Sequence, residues 1–169
     1  MRASDTAATR LLPAARIVLG STLPLRRQRR RGGTGAVWCC GVEFSIVLPE
    51  QLQWLTRPHE PGEPARHVAE LQPWVGFRDS RANVWRYEPG ARGKRHVHDE
   101  QEETFVVLAG RLTMLLGDPP ERHEVPVGGV VHVRAGTPLQ TVNEGEEDLV
   151  VYAYGSPPDE GAEVLPSAV

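Results

Sequence analysis

Between residues 83 and 154 the chain is a series of short apolar, β-branched and aromatic stretches, each closed by a glycine or proline turn signal. Asn83 to Glu88 is closed by Pro89-Gly90, Thr104 to Ala109 by Gly110, and Arg111 to Leu116 by Gly117-Asp118-Pro119-Pro120. Glu121 to Val125 leads to Gly128-Gly129, and Val130 to Val133 leads to Ala135-Gly136-Thr137-Pro138. Leu139 to Val142 and Leu149 to Tyr154 complete the set. Stretches this short leave no room for long helices, and their spacing predicts an all-β sandwich or barrel.

Upstream, the alternation of Glu43-Phe44-Ser45-Ile46-Val47 predicts a strand. Pro49 to Leu55 predicts one or two helical turns with Pro49 at the first position. Three prolines make 57–64 a loop. Residues 42–82 are thus expected to pack on a barrel spanning 83–155, with 156–169 as an acidic, proline-containing surface tail. Residues 1–41 are different: they hold eight Arg and a single acid, Asp5. The rest holds 11 basic and 21 acidic residues. An acidic body argues against nucleic acid as the partner of the barrel. The Arg-rich leader admits three readings: an arm for anionic surfaces, a targeting peptide, or a disordered extension translated from an early start, with Val42 or Val47 as the true one. Charge without periodicity favours the extension.

No run approaches the roughly 18 apolar residues of a spanning helix, so no membrane partner is expected. The two cysteines, Cys39 and Cys40, are neighbours and cannot staple distant segments. A reducing, cytoplasmic setting is the expectation.

Chemistry concentrates in His96-Val97-His98-Asp99-Glu100-Gln101-Glu102-Glu103. Residues two apart on a strand share a face, so His96 and His98 can present two imidazoles to one point. Glu103 opens the next strand after a polar turn and can swing back to them. Two imidazoles and a carboxylate suit a divalent metal: Fe(II) with open positions, Zn(II) or Mn(II). His132 is expected as a half-buried strand histidine. His59, His67 and His123 are expected at exposed positions. If Leu139 points into the barrel, Gln140 points out. Tyr87, Tyr152 and Tyr154 read as packing residues that can also offer a phenol to a ligand. Trp54, Trp74 and Trp85 read as core or dimer contacts. Glu100, Gln101 and Glu102 are expected to solvate the turn. No nucleophile elbow or phosphate-cradling loop occurs.

These residues resemble the cupin superfamily. Its first motif has the spacing G-x5-H-x-H-x4-E-x6-G, matched by Gly90, His96, His98, Glu103 and Gly110. Its second, G-x5-P-x-G-x2-H-x3-N, is matched by Gly128, Gly136 and Asn143, while Arg134 stands for the proline and Leu139 for the histidine. The resemblance covers about residues 83–154. It implies a double-stranded β-helix, or jelly roll, with one metal inside the barrel. By position it carries His96, His98 and Glu103 over as ligands. Leu139 has no donor atom, so a four-ligand site is not expected. The resemblance also makes a homodimer the default assembly.

The expected function is binding of a divalent metal through these three residues, with dioxygenase, isomerase or lyase chemistry on a small organic molecule. The alternative is a metal-free or weakly metallated small-molecule sensor, which Leu139 favours. A third reading, a purely structural jelly roll, requires the three side chains to diverge in space.

Overall fold

The computed structural model describes residues 44–57, 61–158 and 161–169. The arginine-rich leader, Cys39, Cys40 and His59 lie outside them. The described chain is almost all β. Its strands are β1 (Trp54–Thr56), β2 (Arg66–Glu70), β3 (Arg81–Tyr87), β4 (His96–Val97), β5 (Glu102–Ala109), β6 (Arg111–Leu116), β7 (Glu121–Pro126), β8 (Val130–Val133), β9 (Leu139–Val142), β10 (Leu149–Ser156) and β11 (Glu163–Val164). A single turn of 3-10 helix covers Pro49–Gln51, and the only α-helix among the described residues is α1 (Gln72–Val75). Two antiparallel sheets result, one in the order β1-β2-β3-β10-β5-β8 and the other β11-β4-β9-β6-β7.

Period-two alternation decides which side chains enter the barrel. In β10, Leu149, Val151 and Ala153 are buried on one face. They join Tyr87, Phe105, Val107, Leu112, Met114, Val133 and Leu139 in the main core. On the opposite face, Val150, Tyr152 and Tyr154 pack on a second cluster of Ala69, Leu71, Ala82 and Val84. Val47, Leu52, Val75 and Phe77 cover that cluster, so the segment before β3 packs on the outer face of the larger sheet.

The strands predicted between 83 and 154 all form, several with their predicted ends. The upstream expectations are partly overturned. Residues 44–48 form no strand. Their alternation is met by seating Val47 on the outer cluster, while β1 takes the edge of the sheet. The helical turn at Pro49 stops at Gln51, because Trp54, Leu55 and Thr56 pair with Ala69, Val68 and His67. The C-terminal residues are not a free tail: β11 pairs with β4, and the Leu165 N–H donates to the Arg95 carbonyl at 2.9 Å.

The four motif glycines, Gly90, Gly110, Gly128 and Gly136, all adopt positive φ. Gly110 makes the tight β5–β6 turn at φ 73°, and a Cβ there would lie 2.7 Å from the Asp148 carbonyl oxygen. The obstacle is backbone and cannot rotate away. Gly110→Ala is therefore expected to destabilise the fold by about 2–4 kcal/mol, combining left-handed strain with the clash. Urea unfolding measures it, and a loss under about 0.5 kcal/mol, the range of an ordinary surface substitution, would contradict the steric reading.

Candidate metal centre

His96 lies on β4, which is held on both sides: His96 pairs with Leu139 of β9 and with Val164 of β11. His98 follows directly, and its carbonyl accepts the Gly136 N–H at 2.7 Å, so a second-motif glycine braces a first-motif histidine. Glu103 sits in β5 between Gly155 of β10 and Val133 of β8. His98 and Glu103 are buried, and His96 is partly so.

The three side chains converge. One ligand atom from each of His96, His98 and Glu103 lies within 4.8 Å of the other two, the only such grouping found among the described residues. The divergence required by a purely structural jelly roll does not occur. Glu103 Oε2 is 3.3 Å from His96 Nε2 and 3.8 Å from His98 Nε2. The rings stand edge to face with centroids 5.1 Å apart. Bonds of about 2.1 Å to one ion would separate neighbouring ligand atoms by about 3.0–3.4 Å, so the trio needs little movement to hold one. His96 Nδ1 sits 2.9 Å from the Lys94 carbonyl. A donated Nδ1–H there leaves the Nε2 lone pair for the centre, the outer bond that metal-bound histidines ordinarily make. Burial opposes charging of His96, but the Glu103 carboxylate and the Lys94 carbonyl outweigh it and hold its pKa above the ordinary histidine range. These donors fit a divalent metal.

The site opens into a cavity of about 440 Å³, lined at its apolar walls by Trp85, Phe105, Leu139 and Ala153. Leu139, only 2% exposed, closes the wall where the second motif would bring an imidazole. Tyr87 also lines it, with its hydroxyl 2.8 Å from Thr141 Oγ1. Burial pushes the Tyr87 phenol above its usual range, so it stays a neutral hydroxyl.

Several expectations need correction. Gln101 does not solvate the turn. It is buried, accepts from Arg81 at 2.6 and 3.0 Å and donates to the Pro157 carbonyl at 2.7 Å. Gln140 does leave the barrel interior, yet it is 1% exposed, because the C-terminal residues cover it and Ser167 and Ala168 bond its amide. His67 is on β2 with a side chain only 14% exposed, between Thr56 and Glu88. His132 is exposed rather than half-buried and faces outward to Thr104 and Glu102. His123 is exposed, as expected. Trp85 packs against the core and also lines the cavity, with Arg57 and Arg66 over its ring at 5.8 and 5.9 Å.

Arg81 was not legible as a site residue. Its Nη2 lies 3.3 Å from His98 Nε2 and 3.6 Å from Glu103 Oε1. The signal was present, since Arg81, Asn83, Trp85 and Tyr87 alternate along β3 and all line the cavity. Arg57, Arg66, Lys94 and Thr141, which also line it, were not singled out either. Asn143 of the second motif is structural: it is fully buried, and its amide bonds the Tyr87 and Glu147 carbonyls at 2.9 and 2.8 Å.

Two antiparallel sheets enclosing a pair of imidazoles and a carboxylate define a jelly-roll protein with a candidate metal triad. Residues 83–154 match the family of cupin domains. These residues are therefore a cupin domain. Among solved structures it is similar to a conserved protein with a double-stranded β-helix domain from Klebsiella pneumoniae, at 25% identity over 66% of this chain and 90% of that one, with a TM-score of 0.53. It is also similar to a sugar phosphate isomerase of the cupin superfamily from Silicibacter pomeroyi, at 28% identity and a TM-score of 0.50, covering 54% of this chain and 59% of that one. The polyketide cyclase RemF from Streptomyces resistomycificus shares the fold, at 18% identity over 72% of this chain and 85% of that one, with a TM-score of 0.61. A search of curated protein sequences finds no match.

Proposed function

We propose that this cupin binds one divalent metal, iron, zinc or manganese, through His96, His98 and Glu103, and that a small organic molecule entering the cavity is its ligand. The observation that carries this reading is the convergence of three donor atoms within 4.8 Å at the base of an open cavity. When bound, such an ion supplies Lewis acidity to a ligand oxygen. The chain's own residues do the rest. The Lys94 carbonyl orients His96. Tyr87 offers a neutral hydroxyl, and Phe105, Leu139 and Ala153 keep water from the ligand's carbon atoms. In its enzymatic form the reading is a dioxygenase, isomerase or lyase acting on that molecule. The likeness to the Silicibacter pomeroyi sugar phosphate isomerase supports the isomerase type.

A second reading, a metal-free binding protein, is favoured by Arg81. Its guanidinium faces both His98 Nε2 and Glu103, so this arginine supplies a positive charge beside the triad. Together with Leu139, it makes a barrel that can stand without an ion.

Metal loading separates the two. Untagged protein is expected to carry near-stoichiometric metal by plasma mass spectrometry. Stripping with chelator should lower the melting temperature, and returning the ion should restore it, because a ligand at 100 times its Kd stabilises by about 2.7 kcal/mol. Absence of metal, with no thermal response to Fe(II), Mn(II) or Zn(II) under anaerobic conditions, would establish the metal-free reading instead.

A further inference from the structure

The cations around the cavity are unequally satisfied. Arg57 pairs with Glu70 at 2.7 Å, Arg92 with Glu63 at 3.3 Å and Arg95 with Asp118 at 3.3 Å. Arg81 is held by Gln101 and faces Glu103. Arg66 and Lys94 have no carboxylate partner among the described residues, and both line the cavity. They also line a second, adjoining cavity of about 380 Å³, so they stand on the wall that the two share. Among the described residues, the only acid lining the main cavity is Glu103, which is committed to the triad. Arg66 is half-buried and Lys94 exposed, and a surplus of positive charge at a cavity is a recruiting field for an anion.

The apolar walls add a second requirement. Trp85, Phe105, Leu139 and Ala153 give a carbon skeleton something to pack on, and the volume is that of a small-molecule pocket. Lys94 precedes His96 by two residues, which is about 7 Å along extended backbone. A molecule of a few carbons can therefore reach the triad with one end and the rim with the other.

We propose that the barrel selects a small organic oxyanion, a carboxylate or phosphate ester, whose charged group is held by Arg66 and Lys94 and whose carbon body lies over Trp85 and Leu139. This deepens the small-molecule reading of the same site and rests on it, but it does not depend on the metal.

Calorimetric titration tests it on the full chain, with and without chelator. The probes are two pairs, glycerol phosphate against glycerol and lactate against propanediol. One anion of the two pairs should bind at least about tenfold tighter than its neutral partner, the size of one charge-assisted hydrogen bond. Which pair discriminates identifies phosphate or carboxylate as the group recognised. The Arg66→Gln/Lys94→Gln double variant should lose that preference while keeping its metal content and circular dichroism. Arg66→Lys, which retains the charge, should keep the preference and guards against a folding artefact. Equal binding of anion and neutral partner, binding of neither anion, or an unchanged preference in the double variant would overturn the proposal. Metal content, measured on the same samples, fails or holds separately. Metal without anion preference refutes only the oxyanion site, and anion preference without metal refutes only the metal centre.

Discussion

His96→Ala protein is expected to lose its metal. The variant removes one of three converging donors and leaves His98 and Glu103 as a pair. Disrupting only an outer hydrogen bond of a metal ligand costs 10–100-fold in affinity, so losing the ligand itself should cost at least about 100-fold, or about 2.7 kcal/mol. Glu103→Gln should behave similarly. It keeps the shape but removes the charge that draws a cation into a site with Arg81 only 3.6 Å away. The fold should survive both changes. His96 is partly exposed, and neither side chain belongs to the apolar core. The measurement is metal content together with the thermal shift on metal addition. Wild-type metal content in both variants would place the ion elsewhere. The thermal response is the stricter readout, because it reports binding linked to the folded state.

Leu139→His should do the opposite. Leu139 is the cross-strand partner of His96 and lines the same cavity as His96 and Glu103. An imidazole there completes a four-ligand set, and affinity is expected to rise by about 10–100-fold, at least what an outer-shell contact is worth. The cost appears only without metal. A histidine in an apolar wall lacks the packing of leucine and buries polar nitrogens, which should lower stability by about 1–3 kcal/mol. The diagnostic pattern is a variant that melts lower than wild type in chelator, and whose melting temperature rises further on adding metal. A variant destabilised under both conditions, with no gain in affinity, would show that the Leu139 wall does not face the ion. Arg81 sharpens the comparison. Its guanidinium lies against His98 Nε2, the lone pair an ion would use, so metal entry requires that contact to open.

The barrel was legible because its information is local. Each strand from 83 to 154 is bounded by its own turn signals, and the motif glycines occupy positive-φ turns whatever surrounds them. The triad was legible for the same reason: two residues apart on a strand means one face, and a short turn returns the chain to Glu103. Residues 44–48 show where that logic stops. They alternate like a strand, but the sheet edge they would need belongs to β1. Gln101 was expected to solvate the turn and Gln140 to point out of the barrel, and each is buried because a segment more than 25 positions away covers it.

By itself the sequence determined the all-β class, the turn positions and the three donors that converge, since backbone periodicity and turn chemistry are properties of neighbouring residues. Only the tertiary structure decided which side chains complete the cavity. Arg81 reaches Glu103 because β3 lies beside β10 and β10 beside β5, and Arg66 enters because β2 pairs with β3. Strand order is set by packing of whole faces across the sheets, and no local pattern encodes it.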